Sequence, residues 1–375
     1  MILFSDDTFS IIVVIFLIII ITFVWRTLRA VSHLLPQNLS WQRVILHRNM
    51  LFLPIVVMLG LSIYIFQEEK IKKQGIINTY SATITKIDTS EIWQAPDIAA
   101  IPDEYPNKKE ILYGRTLIAN TADYFGPKGI VKPISNGMNC QNCHLQAGTK
   151  PFGNNYSAVA STYPRFRARS GTQETIHKRI NDCFQRSLNG EALDSNSYEM
   201  KSIVAYIKWL GTGIPKKFSP KGVGLTKVKF LDRAANPTQG QVLYQTKCAS
   251  CHAADGQGLV MPEGNGRIYP PLWGDNSYNE AAGLFRMSNF AGYIKSNMPF
   301  GASYNNPQLS DEEAWDIAAF VNSQPRPKHK FLAQDFPDIS KKPFDHPFGP
   351  FKDSFPEIQH KFGPFKAIVD FYKKK

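Results

Sequence analysis

The amino-terminal part of the chain lacks acidic residues. No Asp or Glu occurs between Asp7 and Glu68, so the two apolar runs in that stretch, 9–25 and 50–66, contain no acidic side chain. Each run lies near the short end of the roughly 17–25 residues that a helix needs to cross a bilayer. The sequence therefore predicts two transmembrane helices, with residues 1–70 forming a membrane hairpin.

The same region also lacks the marks of a removable signal peptide. It has no basic start and no small-residue cleavage site, both of which a secretory leader normally carries. The connector, 26–49, holds four Arg and no acidic residue, and basic connectors remain in the cytoplasm. The second run would therefore lead residues 67–375 into the periplasm, with the hairpin in a bacterial inner membrane.

Acidic residues are scarce in the chain as a whole. Lys and Arg number 43 against 31 Asp and Glu, which gives a formal net charge of +12. Nucleic acid is not an expected partner outside the membrane. A basic exported protein more plausibly attracts a small anion, an acidic partner protein or lipid headgroups.

Cysteine is also scarce, and four of the five cysteines fall into one pattern. The pattern is C-x-x-C-H, which occurs as Cys140, Cys143 and His144 and again as Cys248, Cys251 and His252. Two thiols on one helical turn can add to the two vinyl groups of a haem, and the adjacent His then lies under the iron. A zinc site would normally need a second pair of ligands, and a redox dithiol does not demand a following His. The sequence predicts two covalently attached c-type haems.

The two motifs have similar surroundings. A helix is predicted before each motif, a Tyr-Pro loop follows it, and an amphipathic helix closes each copy. The predicted helices are 108–121 and 197–210 in the first copy, and 237–247 and 311–322 in the second. We expect Val242, Leu243 and Tyr244 to face inward. Ser310 and Glu313 fit a capping box at the start of the last helix.

This pattern indicates a mainly α fold with two class I cytochrome c-like domains in tandem after the hairpin. We expect the first domain over 71–230 and the second over 231–330. The last residues, 331–375, are rich in Pro and aromatic side chains. We interpret them as an extended strap over the domains and not as a third core.

Each iron needs a second axial ligand or an open position. In the second domain Met298, which precedes a proline, is the favoured ligand, although it could instead be a core methionine. Met261 is a rival that follows His252 too closely to reach around the macrocycle easily. Lys295 lies one turn before Met298 on the same helical face and could compete for the iron if neutral.

The first domain has no comparable Met-Pro pair and offers Cys183 instead. A single cysteine on a helix is often a core residue, which is the alternative interpretation. The neighbours Arg169, Lys178, Arg179 and Arg186 are basic, and positive charge favours the thiolate that binds iron. Cys183 is therefore a candidate iron ligand.

At these residues the sequence resembles the dihaem thiosulfate dehydrogenases. The likeness is carried by segments 140–149, 163–167 and 179–187, it covers most of 90–370, and the segment around Cys183 is its most specific part. The resemblance implies an enzyme that couples two thiosulfate dianions to tetrathionate, or the reverse. Two electrons per S–S bond would pass from the first haem to the second.

The resemblance also implies roles for particular residues. His144 and Cys183 would be the axial ligands of the active-site haem, and Arg169, Arg179 and Ser187 would bind substrate. The second haem would have His252 with Met298 or Lys295. A redox partner protein is implied, such as a cytochrome, a quinol-linked complex or an oxidase. The two-span anchor departs from the family, since many relatives are soluble.

Two alternative functions stay open from the sequence. One is a membrane-anchored dihaem cytochrome that relays electrons between a quinol-oxidising complex and a terminal oxidase without sulfur chemistry. The other is a structural subunit of a larger respiratory assembly. Neither needs the cluster of Cys183, Arg169, Arg179 and Ser187.

Overall fold

The computed structural model describes residues 22–23, 26–27, 30, 41–84, 91–262 and 266–373. Most of the first predicted span and half of the predicted connector lie outside these ranges. The chain divides into two compact units, Met1–Gly75 and Ile76–Lys375. Both haem-attachment motifs belong to the second unit.

The long helix α1, Trp41–Ile84, differs from the predicted hairpin. It begins inside the predicted connector and continues well past residue 66. The continuation has a physical cause, because Glu and Lys are strong helix formers and Glu69 pairs with Lys73 at 3.0 Å one turn apart. Over the described ranges, no helix has both the length and the apolar character that crossing a bilayer requires. The predicted second span, and with it the hairpin in a bilayer, is not supported.

The second unit is mainly helical. Its helices are α2 Lys108–Ala119, α3 Thr121–Phe125, α4 Leu145–Gly148, α5 Val159–Thr162, α6 Ile176–Arg186, α7 Tyr198–Leu210, α8 Pro237–Lys247, α9 Ala249–His252, α10 Met287–Asn297, α11 Asp311–Ser323, α12 Glu357–Phe362 and α13 Lys366–Lys373. Two short antiparallel hairpins pair β1 Arg165–Arg167 with β2 Thr172–Glu174, and β3 Leu259–Val260 with β4 Arg267–Tyr269.

Two hydrophobic cores are built on the same plan. In the first, α2 crosses α7, and a Cβ on Gly114 would overlap the carbonyl of Ser202. In the second, α8 crosses α11, and a Cβ on Gly240 would overlap the carbonyl of Asp316. In both, the helix before the haem motif therefore approaches the closing helix closely enough that glycine is required at the crossing.

The structure confirms most of the predicted helices around the motifs. Helix α8 has the predicted bounds, α7 begins directly after its N-cap Ser197, and Ser310 and Glu313 form the predicted capping box. The predicted inward position of Val242 is wrong, because its side chain is 56 % exposed while Tyr244 is fully buried. Consecutive helical residues point about 100° apart, so only part of an apolar triplet can face one core.

The carboxyl-terminal segment departs from the predicted extended conformation. It contains α12 and α13, which carry the one-turn pairs Glu357–Lys361 and Lys366–Asp370 that favour helix. The side chain of Ile368 is fully buried in the second core. This segment is therefore part of the second core.

Candidate functional site

The first haem-attachment motif is held in a tight turn. Residues Cys140–Asn142 form a 3-10 turn, and the Asn139 N–H donates to the Asn142 side chain at 2.7 Å. The Cys140 N–H donates to the Thr121 hydroxyl at 2.9 Å. These bonds satisfy the donors of the turn and keep Cys140 and Cys143 together at one cavity.

His144 is arranged as a metal-binding imidazole. Its Nδ1–H donates to the carbonyl of Asn154 at 2.6 Å, and its ring stacks on Tyr156 with centroids 4.4 Å apart. Burial lowers the pKa of His144 to about 4, so the ring is neutral at physiological pH. The hydrogen bond fixes the tautomer and leaves Nε2 as the lone-pair donor.

The predicted residues of α6 meet the motif at a cavity of about 140 Å³. Cys140, Cys143 and His144 line this cavity, as do Arg179, Cys183 and Ser187. The last three follow one another at intervals of four residues, so they share one helical face. Four of the five predicted substrate and axial positions of the first site therefore lie together with the haem-attachment thiols, and the exception is Arg169.

 The guanidinium of Arg179 and the hydroxyl of Ser187 have no hydrogen-bond partner among the described residues. A Cys183 thiolate raises the pKa of Arg179 above its usual value, because the two opposite charges lie close together. A guanidinium and a hydroxyl that are not hydrogen-bonded to any described residue can bind the oxygens of a small oxyanion.

Arg169 occupies a different position from the other predicted substrate residues. It does not line the cavity, and its Nη1 donates instead to the carbonyl of Ala281 and to Asp335 at 3.4 Å. Burial and the neighbouring charge of Arg186 lower the pKa of Arg169 to about 10. Arg169 therefore lies outside the cavity lining, and its guanidinium is already bonded to Ala281 and Asp335.

The second motif opens on a larger cavity of about 710 Å³. Cys248, Cys251 and His252 line it, and the His252 Nδ1–H donates to the carbonyl of Pro270 at 2.9 Å. Burial lowers the pKa of His252, which favours the neutral ring. The arrangement repeats that of His144, with a thiol pair, a neutral imidazole and a backbone carbonyl that fixes the tautomer.

The candidate second iron ligands of the second site differ in whether they line its cavity. Met298 and Met261 both line the second cavity. Lys295 does not, and its ammonium group donates to the carbonyl of Leu309 at 2.6 Å and pairs with Asp311 at 2.8 Å. The structure thus brings two methionines to His252 and engages Lys295 elsewhere.

The two cavities share a wall. Asn139 and Cys143 line both of them, and the Tyr293 hydroxyl, from α10 at the second cavity, donates to the carbonyl of Asn142 at 2.6 Å. The first attachment motif is therefore packed directly against the second cavity. Both sites fit a covalently held haem, since each offers paired thiols and a neutral imidazole at a cavity.

Sequence reasoning missed three contributors to the first site. Tyr156 supports the His144 ring, Asn154 supplies the carbonyl that orients it, and Asp335 pairs with two arginines. Tyr156 and Asn154 follow the motif closely and could have been sought there. No sequence signal connects Asp335 to the site, because it lies far along the chain.

Two family descriptions match the second unit. The description "SoxA/TsdA, cytochrome c domain" matches residues 131–215, and "Cytochrome c" matches residues 237–325. The matches cover both attachment motifs. The chain thus has two cytochrome c domains in tandem, which carry the attachment residues of two covalently bound c-type haems.

Known proteins named thiosulfate dehydrogenase are similar over most of their length. The one from Allochromatium vinosum is 37 % identical over 62 % of this chain and 83 % of its own. That from Psychrobacter arcticus is 37 % identical over 70 % of this chain and 77 % of its own. The solved thiosulfate dehydrogenase TsdBA of Marichromatium purpuratum matches with a TM-score of 0.58 and 29 % identity, over 64 % of this chain. Our chain spans about half of that solved chain, 51 %. By these similarities the chain belongs to the thiosulfate dehydrogenase family.

Proposed function

We propose that this protein is a dihaem oxidoreductase that interconverts thiosulfate and tetrathionate. The observation that carries the proposal is the convergence of Arg179, Cys183 and Ser187 on the cavity of His144. An electron-relay protein would need none of these three side chains at that position. The names of the similar proteins support the same substrate.

Charge is the main obstacle to the proposed reaction. Two thiosulfate dianions repel each other, by roughly 4 kcal/mol for each pair of unit charges at 4 Å with an effective dielectric constant of 20. Arg179 would offset this repulsion because its guanidinium is unpaired among the described residues, and Ser187 would orient a sulfonate oxygen. Such preorganised groups act where negative charge accumulates.

The chain's own residues would hold the cofactors in defined ways. His144 and Cys183 would hold the iron at the first site, and His252 and Met298 would hold the iron at the second. When bound, two haems supply two one-electron acceptors, which matches the two electrons released per S–S bond. Cys183 would keep its sulfur beside the position where the substrate sulfur reacts.

We assign substrate binding and electron exchange with a partner to different cavities. The first domain, 71–230, would bind the substrate, and the second, 231–330, would bind a redox partner protein. Cys143 lines both cavities, so the two sites are adjacent. This adjacency supports the proposed passage of electrons from the first site to the second. The cytochrome c domains suggest a periplasmic location for this unit.

The test is an assay of the purified, haem-loaded protein in both directions. We expect ferricyanide to be reduced when thiosulfate is added, with one tetrathionate formed per two ferricyanides consumed. With a reduced viologen dye as donor, we expect tetrathionate to be converted to thiosulfate. Absence of turnover in both directions, at two haems per chain, would contradict the proposal.

A further inference from the structure

A carboxylate from the carboxyl-terminal segment lies among the arginines beside the first cavity. Asp335 is only 5 % exposed, and it accepts hydrogen bonds from Arg186 Nη1 at 2.7 Å and Nη2 at 2.8 Å. The same carboxylate accepts a longer bond from Arg169 Nη1 at 3.4 Å. One buried negative charge is therefore shared by two guanidinium groups.

The shared pairing leaves this region positively charged. Arg169 and Arg186 carry two positive charges against the single charge of Asp335. Arg179 adds a third cation, and the carboxylates that act on it, Glu174 and Asp182, are both paired with Lys178. Burial, together with the charge of Arg186, lowers the pKa of Arg169 to about 10, which reflects the crowding of like charges. The charge on Asp335 consequently sets how much positive potential remains for an incoming anion.

Asp335 and the two arginines that share it lie close enough to the first cavity to act on an anion bound there. Arg186 directly precedes Ser187 and is one turn from Cys183 on α6, and both of those residues line the cavity. The charge of Arg179, which also lines the cavity, acts on Arg169. Charges separated by low-dielectric protein are screened less than charges in water.

We propose that Asp335 determines substrate affinity, because its carboxylate holds Arg169 in competition with the oxyanion and repels a dianion in the adjoining cavity. This inference rests on the proposed function, since it takes thiosulfate and tetrathionate as the anions. Weakened ground-state binding does not slow the chemical step by itself. Weaker anion binding would also favour the release of tetrathionate, which is a dianion like thiosulfate.

The first test is steady-state kinetics of haem-loaded variants. Asp335→Asn keeps the shape of the side chain and removes its charge, so we expect the KM for thiosulfate to fall on the order of fivefold. Asp335→Glu keeps the charge and should leave KM within about twofold of wild type. The control is Asp338→Asn, because Asp338 is half exposed on the same segment, where its carboxylate pairs with Lys341 and accepts hydrogen bonds from Ser340.

A second readout separates this inference from the proposed function. Titration calorimetry with sulfate, a dianion that does not react, should show tighter binding by Asp335→Asn than by wild type, and a steeper loss of binding with added salt. If wild type failed to turn over thiosulfate, the proposed function would fail while the sulfate titration still tested Asp335.

The opposite outcomes overturn the inference. Damage to the fold would raise KM or lower haem content, so an unchanged or raised KM in a folded Asp335→Asn protein contradicts it. A fall in KM in Asp335→Glu as large as that in Asp335→Asn also contradicts the inference. If Asp335→Asn does not fold, Asp335→Ser removes the same charge with a smaller side chain, and the same fall in KM is required.

Discussion

Single residues close to His144, the proposed iron ligand, are under unusual steric constraint. Gly148 has a φ of +81°, and a Cβ at that position would overlap the ring of Tyr156. That ring stacks on His144. Gly148 therefore meets two requirements at once, a left-handed backbone and a close aromatic contact.

We expect Gly148→Ala to destabilise the protein and to disturb His144. The matched control is Gly224→Ala, since Gly224 has a φ of +73° but nothing within 4 Å of the added Cβ. Both variants bear the backbone strain, and only Gly148→Ala also overpacks a core. Its free energy of unfolding should be about 1–3 kcal/mol lower than that of the control. Guanidinium unfolding followed by the haem absorption measures the difference, and equal stability would contradict this assignment.

Residue types predicted the chemistry of the site better than its geometry. The C-x-x-C-H motifs and the spacing of Arg179, Cys183 and Ser187 on one helix could be read directly, because covalent haem attachment and helical periodicity are local. Arg169 and Lys295 could not be placed in the same way. Their partners, Asp335 and Asp311, are distant in sequence, and charge alone does not tell which carboxylate a cation will choose.

At the scale of elements, each core depends on one close helix crossing. A Cβ on Gly240 of α8 would overlap the carbonyl of Asp316 on α11. Backbone atoms cannot move aside as a side chain can, so the two helices would have to separate. The pairing of α8 with α11 therefore depends on the absence of a side chain at one position.

We expect Gly240→Ala to lower the free energy of unfolding by about 1–3 kcal/mol or more, although alanine is the better helix former. Gly75→Ala on α1 is the control, because a Cβ there has nothing within 4 Å, and it should be neutral or stabilising. Thermal unfolding of both variants gives the comparison. A Gly240→Ala protein as stable as the Gly75→Ala protein would rule out a tight crossing.

Helix ends were predicted well where side chains define them. Ser310 was predicted as the cap of α11, and the predicted starts at residues 197 and 237 lie within one residue of the observed starts of α7 and α8. N-capping is a local interaction, so the sequence marks these ends. The length of α1 was not predicted, because the change from apolar to charged residues was interpreted as the end of a helix. Glu and Lys continue a helix as readily as Leu does, so polarity alone did not mark the boundary.

At the scale of the whole second unit, the carboxyl-terminal segment is fastened by a buried polar network. His360 is 1 % exposed, with Nδ1 bonded to the carbonyl of Phe344 at 2.7 Å and Nε2 to Asp353 at 3.0 Å. Tyr372 donates to the other oxygen of Asp353 at 2.7 Å. Burial alone would raise the pKa of Asp353, but the hydrogen bonds from Tyr372 and His360 lower it overall.

We expect Asp353→Asn to cost roughly 3 kcal/mol of stability at pH 7, because it removes the buried negative charge that accepts hydrogen bonds from His360 and Tyr372. A lowered native pKa contributes stability above the unfolded value of about 3.9, and this is lost as pH falls through the native pKa. The gap between wild type and variant should therefore shrink in acid. Glu357→Gln, an exposed pair with Lys361, should change stability by less than about 1 kcal/mol. Urea unfolding at several pH values measures both, and a gap that widens in acid would contradict this account.

The central claim is that the Cys183 sulfur lies at the first iron-binding site and is needed for thiosulfate chemistry. The most direct measurement is the ratio of kcat/KM for thiosulfate between Cys183→Ala and wild type, with both proteins shown to carry two haems per chain. We predict a loss of about 100-fold or more, which corresponds to nearly 3 kcal/mol of transition-state stabilisation. A Cys183→Ala protein with two haems and full activity would contradict the claim.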